Sequence, residues 1–220
     1  MAAFNILMEF EGPVVDLRPR YWAAHQQVLE GLGFSGPPEE EFWRLVRTGA
    51  ADGAFVRFGK ERHGVEYGEK RAALLDDSSL MALDELQPGA EQSLPALKKM
   101  GSQHLVTLCR NRDGINASLD RLNIWMHFDK KQVLPADRDR RVDALKELRG
   151  EYTNTLAIVG TVPMAHVAGE AGCRVIGIAN GPTFPNRLRQ AGVDAVYDDL
   201  DALTDALSTR DNQLQRLGLF

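Results

Sequence analysis

Two carboxylates leave the tip of one apolar run. In FNILMEFEGPVVD, Phe4 to Asp16, the run Phe4 to Met8 gives way to Glu9 and Glu11, then Gly12 and Pro13. Residues i and i+2 of an extended chain lie on the same side, so the two acids point together. They read as catalysts, as metal ligands, or as remnants of either. A carboxylate can attack phosphorus and form an acyl-phosphate. A second carboxylate can carry the leaving-group proton. Other apolar runs end in groups suited to the same chemistry: Thr107 with Arg110 and Asn111, Gly160 with Thr161, and Asn180 with Gly181. Hydroxyls and backbone N–H groups at a helix start can hold phosphate oxygens. A basic residue nearby neutralises the developing charge.

The elements that position these groups follow from the apolar pattern. FNILMEF, HLVTLC, TLAIVGT, RVIGIAN and AVYDD are short and rich in Val, Ile and Leu, without strict alternation. Such runs suit strands of a parallel sheet buried on both faces. Helical stretches separate them: SLPALKKMG, GINASLDRLNI, RRVDALKELRG, VPMAHVAGEAG and NRLRQAG. This order predicts an α/β fold with a doubly wound, Rossmann-like parallel sheet. In such sheets chemistry gathers at the carboxyl ends of the strands. Residues 17–87 break the rhythm. RPRYWAAHQQVLEGLG, PPEEEFWRLVRTG and EKRAALLDDSSLMALDEL read as helices, with TGAADGAF as a flexible joint. The expected organisation is an α/β core of residues 1–16 and 88–220 with an inserted all-helical cap, residues 17–87. The cap aromatics Trp22, Trp43, Phe55 and Phe58 are expected to form its core.

Composition narrows the function classes. The chain has 220 residues and a formal net charge of −5, which argues against non-specific nucleic-acid binding. No apolar run approaches the ~20 residues that span a bilayer, and no secretory pattern is visible. Cys109 and Cys173 make neither a disulfide framework nor a zinc site. They read as small buried residues of a cytoplasmic protein. The five histidines show no metal-ligand spacing. Asp198, Asp199 and Asp201 read as a solvated loop and helix start.

EFEGPVVDLRP resembles DFDGTLVDSRP, HLVTLCRN resembles a second motif with Thr or Ser at a strand end, and LAIVGTVPMAHVAGEAGCRVIGIANG resembles IVGDTEADILAGKAAGCRVIGVTNG. Together with LRQAGVDAVYDDLDAL, they make the chain similar to the haloacid dehalogenase-like hydrolase superfamily, phosphatase type. The resemblance covers essentially the whole chain and implies the α/β core with a small helical cap. It implies that Glu9 stands at the catalytic nucleophile and Glu11 at the general acid/base. Thr107, Leu108 and Arg141 stand at the phosphate contacts, with Lys146 as an alternative to Arg141.

The residues depart from that pattern. Both acids of the first motif are Glu rather than Asp, and Pro13 replaces the Thr. Thr161 and Met164 occupy the acid positions of the fourth motif, so no intact metal site is expected. Magnesium, held by carboxylates and water in such sites, is implied only if activity remains. His166 and Glu170 read as ordinary helix residues rather than substitutes. The resemblance thus implies a phosphatase-like protein with reduced or lost activity, in a binding or regulatory role. The alternative is a magnesium-dependent phosphate-ester hydrolase with Glu9 as nucleophile. Expected partners are a phosphorylated small molecule in the crevice between core and cap, or a protein, and neither nucleic acid nor membrane.

Overall fold

The computed structural model describes residues 4–152 and 154–219. Its strands are β1 Phe4–Glu9, β2 Val15–Asp16, β3 Glu85–Leu86, β4 Gly101–Thr107, β5 Lys130–Val133, β6 Thr155–Val159, β7 Arg174–Ile178 and β8 Ala195–Tyr197. Six of them form one sheet in the order β5-β4-β1-β6-β7-β8. Every pairing described in it is parallel. β1 lies between β4 and β6, with Glu9 opposite Val106 and Met8 opposite Ile158. All six residues of β1 are buried, as expected of a strand covered on both faces.

The chain divides into two compact units. The α/β unit comprises Met1–Asp16, Leu86–Leu108 and Asn123–Phe220. Its helices are α5 Ala90–Met100, α7 Arg138–Arg149, α8 Val162–Glu170, α9 Pro185–Gln190, α10 Leu200–Thr209 and α11 Asn212–Arg216. Leu7, Val106, Ala157, Val159 and Val175 cluster with Val142 and Leu145 of α7 and with Met164, Ala165, Val167 and Ala168 of α8. Alternation sends Ile6, Met8 and Ile158 to the opposite face. α5 and α10 pack on each other and against β4 and β8 respectively.

The helical unit comprises Leu17–Glu85 and Cys109–Leu122. Its helices are α1 Arg18–Leu32, α2 Glu39–Thr48, α3 Glu61–Leu75, α4 Ser78–Met81 and α6 Arg112–Arg121. Residues Cys109–Leu122 lie outside the 17–87 boundary drawn from the sequence. They join this unit through specific contacts. Asn111 donates to the Asp76 carbonyl and to Ser78 Oγ, each at 2.8 Å, and Cys109 Sγ lies 3.7 Å from Met81 Sδ. Val28, Leu29, Phe42, Phe55, Val56 and Tyr67 form the unit's apolar centre, with Trp22 and Trp43 half-buried against it.

TGAADGAF, read as a flexible joint, carries a 3-10 turn, Asp52–Phe55, whose last residue is buried. One expectation for the helical unit needs correction. Phe58 is not in the core. It is 97% exposed, standing in solvent on a backbone with φ of 59° rather than in the cluster Phe55 joins.

Candidate functional site

The site at the end of β1 is built from three chain turns of the α/β unit. Gly12 has φ of +101°, a region most side chains avoid. A Cβ there would come within 3.0 Å of Pro182 Cδ and 3.3 Å of Gly160 Cα. A Cβ on Gly160 would lie 2.8 Å from Pro13 Cδ. The turns after β1, β6 and β7 therefore meet backbone to backbone, which only glycines permit. Pro13, standing where the resemblance has Thr, helps close this contact.

Glu9 is fully buried and its carboxyl is held by the start of α8. Its Oε2 accepts from Gly160 N at 2.7 Å and from Thr161 N at 3.0 Å. Its Oε1 accepts from Thr161 Oγ1 at 2.6 Å. Thr161 is also the N-cap of α8, where its Oγ1 accepts from Met164 N at 3.3 Å. One hydroxyl thus starts the helix and fastens the acid. Burial, and then the neighbouring Glu11, push the Glu9 carboxyl up to about 8, against the lowering effect of its hydrogen bonds. A carboxyl with that value is predominantly protonated at neutral pH.

Glu11 is also buried, and Thr107 Oγ1 donates to its Oε1. Thr107, expected as a phosphate contact, therefore already spends its proton on Glu11. Leu108 follows, half-buried against the core. Arg141 donates from Nε to the Pro135 carbonyl at 2.6 Å. Lys146 is exposed and faces Asp143 at 3.9 Å. Thus Glu9, Glu11, Thr107 and Thr161 are brought together through direct contacts, while the described contacts of Arg141 and Lys146 tie them elsewhere.

The donors do not suit a divalent cation. Both Glu9 oxygens accept from the Gly160–Thr161 turn. Met164 is buried in the apolar cluster under α8, so its thioether is core. His166 and Glu170 are exposed, and Glu170 is paired with Arg138. Among the described residues no group of three or more His, Cys, Asp or Glu is placed to hold a metal. The sequence reading missed how Glu9 is engaged. The signal was Thr161 itself, which supplies a hydroxyl and a helix start at a position where the resembled motif has an acid.

Other strand-end groups have structural duties. Asn111 is the N-cap of α6, accepting from Gly114 N at 2.8 Å. Asp199 is the N-cap of α10, accepting from Ala202 N at 2.8 Å, and Asp201 receives Ser93 Oγ. Both cysteines are buried and are not joined in a disulfide.

A six-stranded, doubly wound parallel sheet that carries acids at the tip of its central first strand defines the α/β class of this protein. Within that class, it has the haloacid dehalogenase-like hydrolase fold. A haloacid dehalogenase-like hydrolase from Streptococcus pneumoniae superposes with a TM-score of 0.75 at 15% identity, covering 95% of this chain and 98% of the other. A hydrolase from Pseudomonas syringae gives 0.63 at 17% identity, with coverage of 94% and 98%. CbbY from Rhodobacter sphaeroides, solved in complex with phosphate, gives 0.63 at 19%, with coverage of 92% and 96%. No family model and no curated protein sequence matches the chain. No helix among the described residues is long and apolar enough to cross a membrane.

Proposed function

We propose that this chain is a phosphatase-type member of the haloacid dehalogenase-like superfamily whose hydrolytic activity is lost or strongly reduced. Its scaffold serves a binding or regulatory role in the cytoplasm, toward a phosphorylated small molecule or a protein. The observation that carries this reading is the engagement of Glu9. A nucleophilic carboxylate must be ionised and must offer an oxygen to phosphorus in line with the leaving group. Glu9 holds its proton to about pH 8, and its two oxygens make three hydrogen bonds with the Gly160–Thr161 turn. Turning an oxygen toward a phosphate would break at least one of these bonds. A displacement of ~1 Å alone can cost roughly a hundredfold in rate. The fold shared with phosphatases, and with a neighbour solved with phosphate, supports the family. The departures at Glu9, Thr161 and Met164 support the loss.

The decisive assay measures hydrolysis of a panel of phosphate esters with magnesium, for the native chain and Glu9→Gln. The expected outcome is the same background rate in both. Turnover in the native chain that vanishes in Glu9→Gln would instead establish the alternative, a hydrolase with Glu9 as nucleophile.

A further inference from the structure

The helical unit contains an open cavity of about 400 Å³, lined by Arg18, Trp22, Glu39, Glu40, Phe42 and Trp43. Two of these residues stand on α1 and four on the first half of α2. Its aromatic walls are held in place from behind. Phe42 stacks on the buried His25 ring at 4.4 Å, Trp22 tilts against Phe42 at 5.4 Å, and Tyr21 meets Trp43 edge-on at 6.2 Å.

The three acids opening α2 differ from one another. Glu41 meets Arg44 at 3.9 Å and Arg57 at 3.2 Å. Glu39 and Glu40 line the cavity and have no ion-pair partner among the described residues. Acids in a first helical turn favour the helix dipole wherever their side chains point. That general effect does not require aromatic walls beside them. Two carboxylates against the single guanidinium of Arg18 leave the lining net negative. Aromatic faces are also negative and attract cations. An anionic ligand is disfavoured by this lining. Glu39 and Glu40 are solvent-exposed, so a neutral apolar ligand would gain the ring contacts without drawing on their charge. A bare metal ion would find no ring of oxygen donors.

We propose that this cavity binds a small organic cation with an alkylated ammonium group, its methyls against Trp22 and Trp43 and its charge facing Glu39 and Glu40. The inference stands on the helical unit alone and is independent of whether Glu9 is catalytic.

The test titrates choline into the full chain, read by tryptophan fluorescence and by calorimetry. Its neutral isostere 3,3-dimethylbutan-1-ol, in which carbon replaces the charged nitrogen, is titrated in parallel. The expected result is saturable binding of choline and much weaker binding of the alcohol. Trp43→Ala should lose roughly tenfold in affinity. The paired change Glu39→Gln with Glu40→Gln keeps the shape of the cavity and should also weaken choline severalfold. Circular dichroism confirms that each variant is folded, and the Gln pair decides the question if Trp43→Ala is not. Absence of saturation with choline in the millimolar range overturns the proposal. So does equal affinity for the neutral isostere, or unchanged affinity in the Gln pair. Because the readout is binding, its failure leaves the phosphatase assay untouched.

Discussion

Each unit of this protein buries an acid completely, and the two are accommodated in opposite ways. In the helical unit Asp84 is 0% exposed and Arg20 2%, and the guanidinium Nε stands 3.0 Å from the carboxylate. Arg20 also donates to the Leu75 carbonyl at 2.9 Å, and Arg121 donates to the carbonyl of Asp84. In the α/β unit Glu9 receives only N–H and O–H dipoles, with a second acid beside it. Charge on a buried acid is met by a cation in one place and by a proton in the other. The contrast sets the two buried acids apart by how their charge is handled. An acid kept neutral serves as a hydrogen-bonded tie between β1 and the turn into α8, whereas an acid kept ionised can attack or ligate.

The largest expected loss of stability comes from removing the cation. Arg20→Met should strand the Asp84 charge and cost about 3–5 kcal/mol in urea unfolding. Adding Asp84→Leu should recover most of it, because an apolar pair of similar size is often no worse than the ion pair. A loss below about 1 kcal/mol in the single variant would show that the contact behaves as a surface pair.

Next in size is Met164→Asp, which returns an acid to the fourth-motif position. Met164 is 1% exposed within the apolar cluster, so the variant gives up core packing and buries an acid. It should cost about 2–4 kcal/mol, less at acid pH where the new group is neutral. Thermal unfolding with and without magnesium checks this. Substantial stabilisation of the variant by magnesium would contradict the reading that position 164 has become core. A smaller effect is expected for Tyr67→Phe. Tyr67 Oη lies 2.8 Å from His25 Nδ1 inside the aromatic cluster, and losing this one buried hydrogen bond should cost about 1 kcal/mol, read from the urea midpoint.

These effects separate what the sequence displays from what it conceals. The apolar runs mark β1, β4, β6 and β7 because the middle and carboxyl-terminal residues of these strands are buried. β5 is KKQV, with both lysines exposed. It is an edge strand protected by charge, and its composition carries no strand signal. The pairing of Glu9 with Glu11 at a strand tip is local, so it is legible. The direction of the Glu9 carboxyl is not, because its partners lie 151 and 152 residues along the chain. The Arg20–Asp84 pair was hidden for the same reason, and so was the grouping of Cys109–Leu122 with the helical unit. Met164 reads as a helix residue from its spacing. That it faces the core becomes visible only once β1 and β6 supply the surface beneath it.

The finest test of the contrast is the dependence of stability on pH. The Glu9 carboxyl is raised from 4.5 to about 8 in the folded chain. Between those values the folded state holds a proton that the unfolded state has released, so stability falls as pH rises through the window and levels off above it. The buried His25 works in the opposite direction. Burial, and then the charge of Arg71, lower it from 6.5 to about 4, so its contribution is lost as pH falls from 6.5 toward 4. The two slopes oppose each other between 4.5 and 6.5, and of this pair only Glu9 acts between 6.5 and 8. Glu9→Gln isolates the contribution of Glu9. The amide can present its oxygen to Gly160 N and Thr161 N and donate to Thr161 Oγ1, so the tie is kept without a titrating proton. The variant should differ little from the native chain at pH 4, then gain on it by up to about 1.4 kcal/mol per pH unit toward pH 8. Urea midpoints at pH 4, 6 and 8 measure the gap. A gap that stays constant would mean that Glu9 is ionised in the folded protein at neutral pH, and the distinction between the two buried acids would disappear.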